Sequence, residues 1–257
     1  MDGMTGRRGI IWKTPDITAD GLKLFGCIVM LIQTIGVSIV QNGLIHLDQY
    51  TQESLNQAMA GDSRLMTLAG LGSVMQIIGG MAVPIFAFLL VEGFRNTSSY
   101  RNYLLTMFVA ALVSELPYDL AVSGKLFDFT SQNALVSMCI CLIMLKCLNL
   151  FSGTRGALGV FMKFLIVLSA IVWVSLFRGE FGLCLVVLTA VFEIFYTKNV
   201  LKTFLGAIIS LMYITGPLSF YGLWCYTGER KNRINKYVFY IFYPMHLLVL
   251  GIIAKFL

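Results

Sequence analysis

The sequence has little charge: Asp, Glu, Lys and Arg together make up 12% of its 257 residues. A soluble domain carries about 25% charged residues, so this chain has too little charge to cover a globular surface in water. Hydrophobic residues account for 58% and are collected in long runs with few charges. These features exclude an ordinary soluble protein and predict a membrane protein.

Metal and disulfide motifs are also missing. The six cysteines lie in or beside apolar runs, no CxxC occurs, and there are only two histidines. We therefore predict no disulfide framework and no bound metal, with the thiols acting as small buried hydrophobic groups. The net charge of +6 is dispersed among the loops between apolar runs, as membrane topology produces. The predicted partner is the lipid bilayer, with no nucleic acid.

What the sequence does contain is a series of eight apolar runs. They predict an all-α, polytopic bundle of about eight transmembrane helices, forming a single membrane domain over residues 20–257 behind a cytoplasmic segment at residues 1–19. The first run is too long for a signal peptide, so we expect it to be retained. The runs are Leu24–Leu47, Leu65–Val91, Tyr103–Leu120, Ala134–Leu150, Phe164–Phe177, Phe181–Tyr196, Thr203–Cys225 and Tyr237–Leu257.

The distribution of basic residues predicts an orientation. Eight spans place both termini on one side, which would hold twelve of the Lys and Arg residues against seven on the other. Cytoplasmic loops are enriched in Lys and Arg, so the termini are predicted to be cytoplasmic. Four of the seven lie in one loop after the seventh run: Arg230, Lys231, Arg233 and Lys236. Either that loop binds an anionic group, or one span is miscounted.

Carboxylates occur within or beside two of the runs. Glu92 ends one of them, and Glu115 and Asp119 stand one helical turn apart in the next, on either side of Pro117. A charge at the bilayer centre costs at least about 2.5 kcal/mol, so these acids are candidate functional groups. The alternative is that they lie at helix ends, solvated or paired with nearby cations.

The eight-span topology sorts the polar residues by membrane face. Glu92 and Arg95 fall on the cytoplasmic side. Convergent polar groups on the other side indicate a site there, although polar residues also accumulate at helix ends in membrane proteins generally. The non-cytoplasmic group comprises Glu115, Asp119, Gln132, Asn133, Glu180, Tyr243 and His246.

Several motifs, in order along the chain, resemble the TraX family of polytopic membrane proteins, whose prototype is a pilin N-acetylase of conjugative transfer systems. The matches extend from about residue 20 to residue 250. They are PIFAFLLVEGF from Pro84, SELPYDLA from Ser114, the pair Gln132–Asn133, EFG from Glu180, YTGER from Tyr226 and FYIFYPMHLL from Phe239.

The resemblance implies an acyltransferase of the bacterial cytoplasmic (inner) membrane. It would transfer an acetyl group from acetyl-CoA to an amine or hydroxyl acceptor, such as a peptide N-terminus, a sugar or another small molecule. Family members typically carry an Asp-His pair in the first span, where this chain has Gln33 and Thr34. Neither side chain titrates near neutrality, whereas acyl transfer needs a base. The acid of the family's hairpin motif corresponds to Glu180.

The identity of the base is left open by the resemblance. Candidates are His246, Glu115 and Asp119, with Glu180 as a further catalytic carboxylate. His46 is a further candidate as a displaced base, although its position at the end of the first span, beside Asp48, favours an interfacial residue. Substrate-contacting or structural roles are predicted for Glu92, Gln132, Asn133, Tyr243, Gln33 and Thr34.

Two basic clusters are candidates for binding the CoA phosphates. Arg95 and Arg101 are favoured because CoA is cytoplasmic, and Arg230 and Lys231 lie on the opposite face in the predicted topology. Both clusters alternatively serve only to set topology.

A second hypothesis is a fold kept without catalysis, in a transport, binding or immunity component. Intramembrane acids suit a substrate path when they are combined with bent helices, and bends are predicted at Gly79–Gly80, Pro84 and Gly216–Pro217.

Overall fold

The structure, a computed structural model, describes residues 17–154, 156–228 and 235–257. Within these ranges the chain is helical and has no strand beyond two isolated backbone pairings, so the all-α prediction is confirmed. The helices of six residues or more are α1 (Ala19–Thr34), a π-helix (Ile35–Ile45) that continues it, α2 (Gln52–Gly61), α3 (Ser63–Gly79), α4 (Ala82–Asn96), α5 (Tyr100–Ser123), α6 (Ala134–Leu150), α7 (Ala157–Leu176), α8 (Gly182–Ile194), α9 (Asn199–Ser210), α10 (Ser219–Trp224) and α11 (Lys236–Lys255).

Five helical segments of the described chain are long and apolar enough to cross a membrane, which makes this a multi-pass membrane protein. Three shorter apolar helices, α6, α8 and α9, accompany them. The predicted count of about eight spans is therefore not confirmed. The five segments are Ala19–Ile45, Ser63–Asn96, Tyr100–Ser123, Ala157–Leu176 and Tyr237–Lys255.

Large apolar side chains occur on both the inside and the outside of the bundle. Ile85 of α4, Leu142 of α6 and Leu188 of α8 are fully buried at the centre of the core. Phe161 and Phe164 of α7 are more than half exposed on its outer surface. An apolar exterior around an apolar core is the arrangement that a surrounding bilayer stabilises.

The predicted run Leu65–Val91 is divided between α3 and α4, with a break at Gly80–Met81. Gly79, the last residue of α3, packs so closely on the Gln33 side chain that a Cβ would overlap it. Pro84 follows in the first turn of α4, where a missing backbone N–H is tolerated. The Gly and Pro residues therefore mark a bend and a close helix contact, as their positions in the sequence predict.

The seventh predicted span, Thr203–Cys225, is not one helix. α9 ends at Ser210, and α10 begins only after a turn and a short 3₁₀ segment, Gly216–Leu218. Gly216 packs directly on the Ser210 backbone, and Pro217 cannot donate a backbone hydrogen bond, so an α-helix cannot continue through this pair.

α10 then runs back beside α9, and Trp224 Nε1 donates to Thr203 Oγ1 at 2.8 Å. α9 and α10 are thus the two arms of a helical hairpin. The prediction of a crossing helix here was wrong because an apolar run alone does not distinguish a span from a folded-back pair of short helices.

The hairpin returns the chain to the end of the bundle at which α1 begins. Ile17 N donates to Cys225 O at 3.0 Å, and Thr227 N donates to Ile17 O at 3.2 Å. We call this the Ile17 end. The π-helix finishes at the opposite end, beside His46, which we call the His46 end.

α11 runs parallel to α1 and the π-helix. Lys23 Nζ lies 5.3 Å from the centre of the Phe239 ring near their starts, and Gly43 packs against Ala254 near their ends. The described chain therefore starts and finishes at opposite ends of the bundle. Eight crossings would have brought these two ends of the described chain to one side, and the difference arises because the α9–α10 hairpin adds no crossing.

Candidate functional site

A small cavity lies inside the bundle between α1, α5, α11 and the turn before α8. Its volume is about 40 Å³, which is room for about one water molecule. Most of the wall is apolar. The polar side chains that line it are Gln33, Thr34, Tyr118, Glu180 and Tyr243.

Gln33 and Thr34 reach the cavity from the end of α1, where the helix widens into the π-helix. Consecutive helical residues are offset by about 100°, so the two side chains contact different neighbours. Gln33 packs on Gly79 of α3, whereas the Thr34 hydroxyl lies against α11. Inserted π turns occur frequently at functional sites.

His246 stands directly behind Thr34. Its Nε2 is 3.3 Å from Thr34 Oγ1, and its Nδ1 is 2.9 Å from the Phe242 carbonyl oxygen. A carbonyl oxygen only accepts, so Nδ1 donates and the Nε2 of the neutral ring faces Thr34 as an acceptor. The Thr34 hydroxyl also lies 3.0 Å from the Met30 carbonyl oxygen, a second acceptor.

The His246 ring is held in this orientation by its neighbours. It stacks on Phe242 with ring centres 4.9 Å apart, meets the Tyr243 ring edge-on at 5.7 Å, and is 7% exposed. The imidazole does not itself line the cavity. Its contact with the cavity therefore passes through the Thr34 hydroxyl.

Glu180 enters the cavity from the turn between α7 and α8. Gln132 fixes this turn by backbone pairing: its N–H donates to Arg178 O at 3.1 Å, and its carbonyl accepts from Glu180 N at 2.8 Å. Arg178 and Phe181 on either side have positive φ angles of 51° and 55°, which are uncommon for residues other than glycine and occur at functional turns. Burial raises the pKa of Glu180 to about 8.

Glu115 is near this turn, but its carboxylate binds Asn133. The Asn133 side chain donates to one Glu115 carboxylate oxygen and, at 2.9 Å, to the Ala111 carbonyl, while its own oxygen caps α6. Asn133 is completely buried, and the other Glu115 oxygen, Oε1, is buried with no hydrogen-bond partner among the described residues. The pair ties the start of α6 to the middle of α5.

Asp119 turns away from both. Its Oδ2 accepts from Asp128 N at 2.9 Å, in the loop between α5 and α6. Glu115 and Asp119 are one turn apart on α5, as predicted, but they bind different segments and neither lines the cavity. The structure therefore places both predicted bases in the support of the α5–α6 connection.

The Ile17 end holds a second polar cluster. Arg95 Nε and Nη2 donate to the Glu193 carboxylate at 2.9 and 2.8 Å, and the guanidinium lies 3.8 Å from the centre of the Tyr196 ring. Asn96 Nδ2 donates to the backbone and side chain of Glu92. Glu92 and Arg95 are thus joined to their own neighbours at the Ile17 end, away from the cavity.

Of the remaining predicted residues, the described ones, Arg101 and His46, join neither cluster. Arg101 is exposed near the start of α5, at the Ile17 end. His46 is exposed at the end of the π-helix with φ 54° and does not line the cavity. Arg230 and Lys231 lie outside the described residues. In the described part of the chain, no group of three or more His, Cys, Asp or Glu side chains is arranged to hold a metal ion.

Two residues that the sequence analysis did not single out belong to these sites. Tyr118 lines the cavity, and its hydroxyl lies 3.2 Å from Ser131 Oγ. It stands between Glu115 and Asp119 in the SELPYDLA motif, so the sequence could have marked it as a candidate site residue. Glu193 is the partner of Arg95, 98 positions away along the chain. No local pattern connects the two.

A family model with the description "TraX protein" matches residues 19–254. The chain belongs to the TraX family. Comparisons with curated proteins and with solved structures give no match. The family match covers all the cavity residues of this TraX protein, including Gln33 and Thr34, which stand where the resemblance implies an Asp-His pair.

Proposed function

We propose that this TraX protein is a membrane acyltransferase, which moves an acetyl group from acetyl-CoA to an amine or hydroxyl acceptor. One observation carries the proposal. His246 Nε2 lies 3.3 Å from Thr34 Oγ1, so a histidine from the last helix stands beside the position at which the family's histidine is expected in the first. A base is thereby supplied from a different helix.

His246 fits the role of general base because of its hydrogen bonds. The bond from Nδ1 to the Phe242 carbonyl leaves the lone pair of Nε2 directed at Thr34. Acyl transfer requires removal of a proton from the attacking group, and a positioned histidine contributes about 10²- to 10⁴-fold to such reactions. Burial and stacking hold the ring in place.

Glu180 would act as an acid on the same cavity. With its pKa raised to about 8, the carboxyl is mostly protonated at pH 7, so it donates a hydrogen bond instead of carrying a charge. A neutral donor suits the oxygen of a thioester, which becomes negative as the carbonyl is attacked. Tyr118 and Tyr243 offer further hydroxyl donors on this wall.

The cavity of about 40 Å³ holds about one water molecule, so it would have to widen to admit the acetyl group, and the rest of CoA would lie outside it. Thr34 lies fifteen residues after Ala19, about 22 Å along the helix from the Ile17 end. The pantetheine arm would have to bridge this depth, with the phosphates outside. Arg101 is the better phosphate candidate of the predicted pair, since Arg95 is occupied by Glu193.

The basic loop that contains Arg230 and Lys231 also fits a role in binding the phosphates of acetyl-CoA. Thr227 pairs with Ile17, and Phe239 lies near Lys23, so the chain enters and leaves residues 229–234 at the Ile17 end. The eight-span topology set this loop on the face opposite Arg101, whereas the described residues on either side of the loop lie at the same end as Arg101. In this proposal, Arg101, Arg230 and Lys231 would all approach the CoA phosphates from one side.

We further propose that the Ile17 end faces the cytoplasm of a bacterial cell. Of the basic residues with described side chains, seven lie towards the Ile17 end and four towards the His46 end, as the positive-inside rule requires. The seven are Lys23, Arg95, Arg101, Lys146, Lys163, Lys198 and Lys202, and the four are Arg64, Lys125, Arg178 and Lys255.

A second candidate function is a TraX fold that binds or transports without catalysis. The replacement of the Asp-His pair by Gln33 and Thr34 and the small size of the cavity favour it. This alternative predicts no release of CoA thiol from acetyl-CoA.

The deciding experiment is acetyl-CoA binding and slow hydrolysis by detergent-purified protein, with water as the acceptor. We expect hydrolysis in the wild type, weaker binding in Arg101→Ala, and no change in Lys125→Ala, a cation removed at the His46 end. Absence of binding at millimolar acetyl-CoA would overturn the acyltransferase proposal and favour the second candidate.

A further inference from the structure

The Thr34 hydroxyl lies between the cavity and the imidazole of His246. Thr34 lines the cavity, His246 does not, and the two side chains are in hydrogen-bond contact. A reactant inside the cavity therefore meets the hydroxyl before it can meet Nε2. This is the order of groups found where a hydroxyl nucleophile is activated by a base that a third group orients.

We propose that Thr34 is the nucleophile of the reaction and carries the acyl group as an ester between two half-reactions. The inference rests on the proposed acyltransferase function. The proposed catalytic group has three parts: the Thr34 hydroxyl as nucleophile, His246 as base and the Phe242 carbonyl as the group that orients the base. On this proposal, the replacement of the Asp-His pair by Gln33 and Thr34 does more than remove two titratable groups. It also introduces a threonine hydroxyl that forms an ester.

In the first half-reaction, Thr34 Oγ1 attacks the thioester carbonyl of acetyl-CoA while its proton moves to His246 Nε2. The C–O bond forms, the C–S bond breaks, and the CoA sulfur leaves as the thiol after taking that proton. In the second, the acceptor amine or hydroxyl attacks the Thr34 ester and gives a proton to Nε2. The ester C–O bond breaks, the proton passes to Thr34 Oγ1, and no oxidant or further reactant is needed.

A simpler role for Thr34 is to hold the imidazole in place. Its hydroxyl also lies 3.0 Å from the Met30 carbonyl, the usual hydrogen bond of a helical threonine to residue i−4. Thr106 makes the same bond to Asn102 at 2.7 Å and is also half-buried. Thr106→Val is therefore a matched control, since it removes an equivalent hydroxyl with no imidazole beside it.

The experiment is an acid quench of purified protein after mixing with radiolabelled acetyl-CoA and no acceptor, with CoA release measured in parallel. We expect one hydroxylamine-labile acetyl group per chain, located by mass spectrometry on the peptide that contains Thr34. Thr34→Ser should keep the label, Thr106→Val should match the wild type, and Thr34→Val should lose it by at least tenfold. Size-exclusion profiles identify any variant that does not fold.

Each outcome is decisive. CoA release with no covalent label would overturn the nucleophile role and leave the acyltransferase proposal standing with direct transfer. Label that persists in Thr34→Val, or loss of label in Thr34→Ser with normal folding, would also overturn it. Absence of both CoA release and label in the wild type would overturn the proposed function, and the inference with it.

Discussion

The two polar clusters inside the bundle differ in how their charged groups are satisfied. At the Ile17 end, Arg95 and Glu193 form two hydrogen bonds with each other. In the cavity, within the described residues, the Glu180 carboxyl has no hydrogen bond or ion pair, and Thr34 and His246 meet as neutral groups. A charge with a fixed partner joins helices, whereas a buried acid without one retains its proton and remains available to a ligand.

The two clusters also differ in how the sequence marks them. Arg95 and Glu92 are charges near apolar runs, yet both are bonded to their neighbours at one end of the bundle. Thr34 and Gln33 replace the titratable pair that the resemblance implies, yet they form part of the cavity wall. We therefore expect the first cluster to stabilise the bundle and the second to carry the proposed chemistry.

The largest effect is expected from His246→Asn. The amide keeps a polar group near Thr34 but cannot take a proton near neutral pH, so the rate of CoA release should fall by about 100-fold or more. His46→Asn is the control, because His46 is exposed at the far end of the π-helix. Equal rates in wild type and His246→Asn would remove this residue from the mechanism.

Arg95→Ala should reduce stability with little effect on chemistry. The substitution leaves the Glu193 side chain, 12% exposed, without the partner that gives it two hydrogen bonds. The expected loss is about 1–3 kcal/mol in the free energy of unfolding, measured by titration with a denaturing detergent. The lower part of that range is favoured, since Arg95 is itself 36% exposed.

The matched control for that variant is Arg101→Ala, which removes an exposed cation five residues after Asn96. Its unfolding free energy should stay within about 0.5 kcal/mol of the wild type. An equal loss in both variants would mean that the ion pair with Glu193 does not hold the helices.

Gly79→Ala tests the contact between α3 and α1. An added methyl group would overlap the Gln33 side chain, so either Gln33 moves from the cavity wall or the helices separate. Such overpacking typically costs about 1–3 kcal/mol. Gly70→Ala in the same helix meets no neighbouring atoms and should be neutral or stabilising. A neutral Gly79→Ala would contradict the close packing described here.

Glu180 should make the stability of the folded chain depend on pH. Its pKa is raised from 4.5 to about 8, so between these values the unfolded chain loses the proton and the folded chain keeps it. The contribution of this carboxyl to the free energy of unfolding is therefore fully present below pH 4.5 and is lost as the pH rises towards 8. The unfolding free energy of the wild type minus that of Glu180→Gln, measured at several pH values, should decline over that range at about 1.4 kcal/mol per pH unit, which is up to about 5 kcal/mol in total. A flat difference would mean that the carboxyl is not buried.

The sequence predicted most helices from hydrophobic runs, and the run Ala134–Leu150 coincides with α6. The cap at Thr18 was also predictable, because a threonine before an apolar run commonly accepts from the first turn, as it does from Gly21 N at 3.3 Å. The α9–α10 hairpin was not predicted. Gly216–Pro217 indicated only a bend, and whether a bent helix crosses or returns depends on contacts with Thr203 and Ile17.

The candidate site was predictable as a set of residues but not as an arrangement. The sequence placed Glu115 and Asp119 on one face of α5 but could not show that Asn133 and the Asp128 backbone bind them separately. The contact between Thr34 and His246 joins residues 212 positions apart. Such pairs follow from the packing of α11 beside α1, which no local pattern encodes.

The central claim is that the cavity, and not the ion-pair cluster, performs the chemistry. The most direct test compares CoA release from acetyl-CoA by His246→Asn with that by an Arg95→Met, Glu193→Met double variant, which replaces the ion pair by apolar side chains. The account predicts a loss of at least about 100-fold in the first variant and less than tenfold in the second. A severe loss in a folded double variant, with normal turnover by His246→Asn, would contradict it.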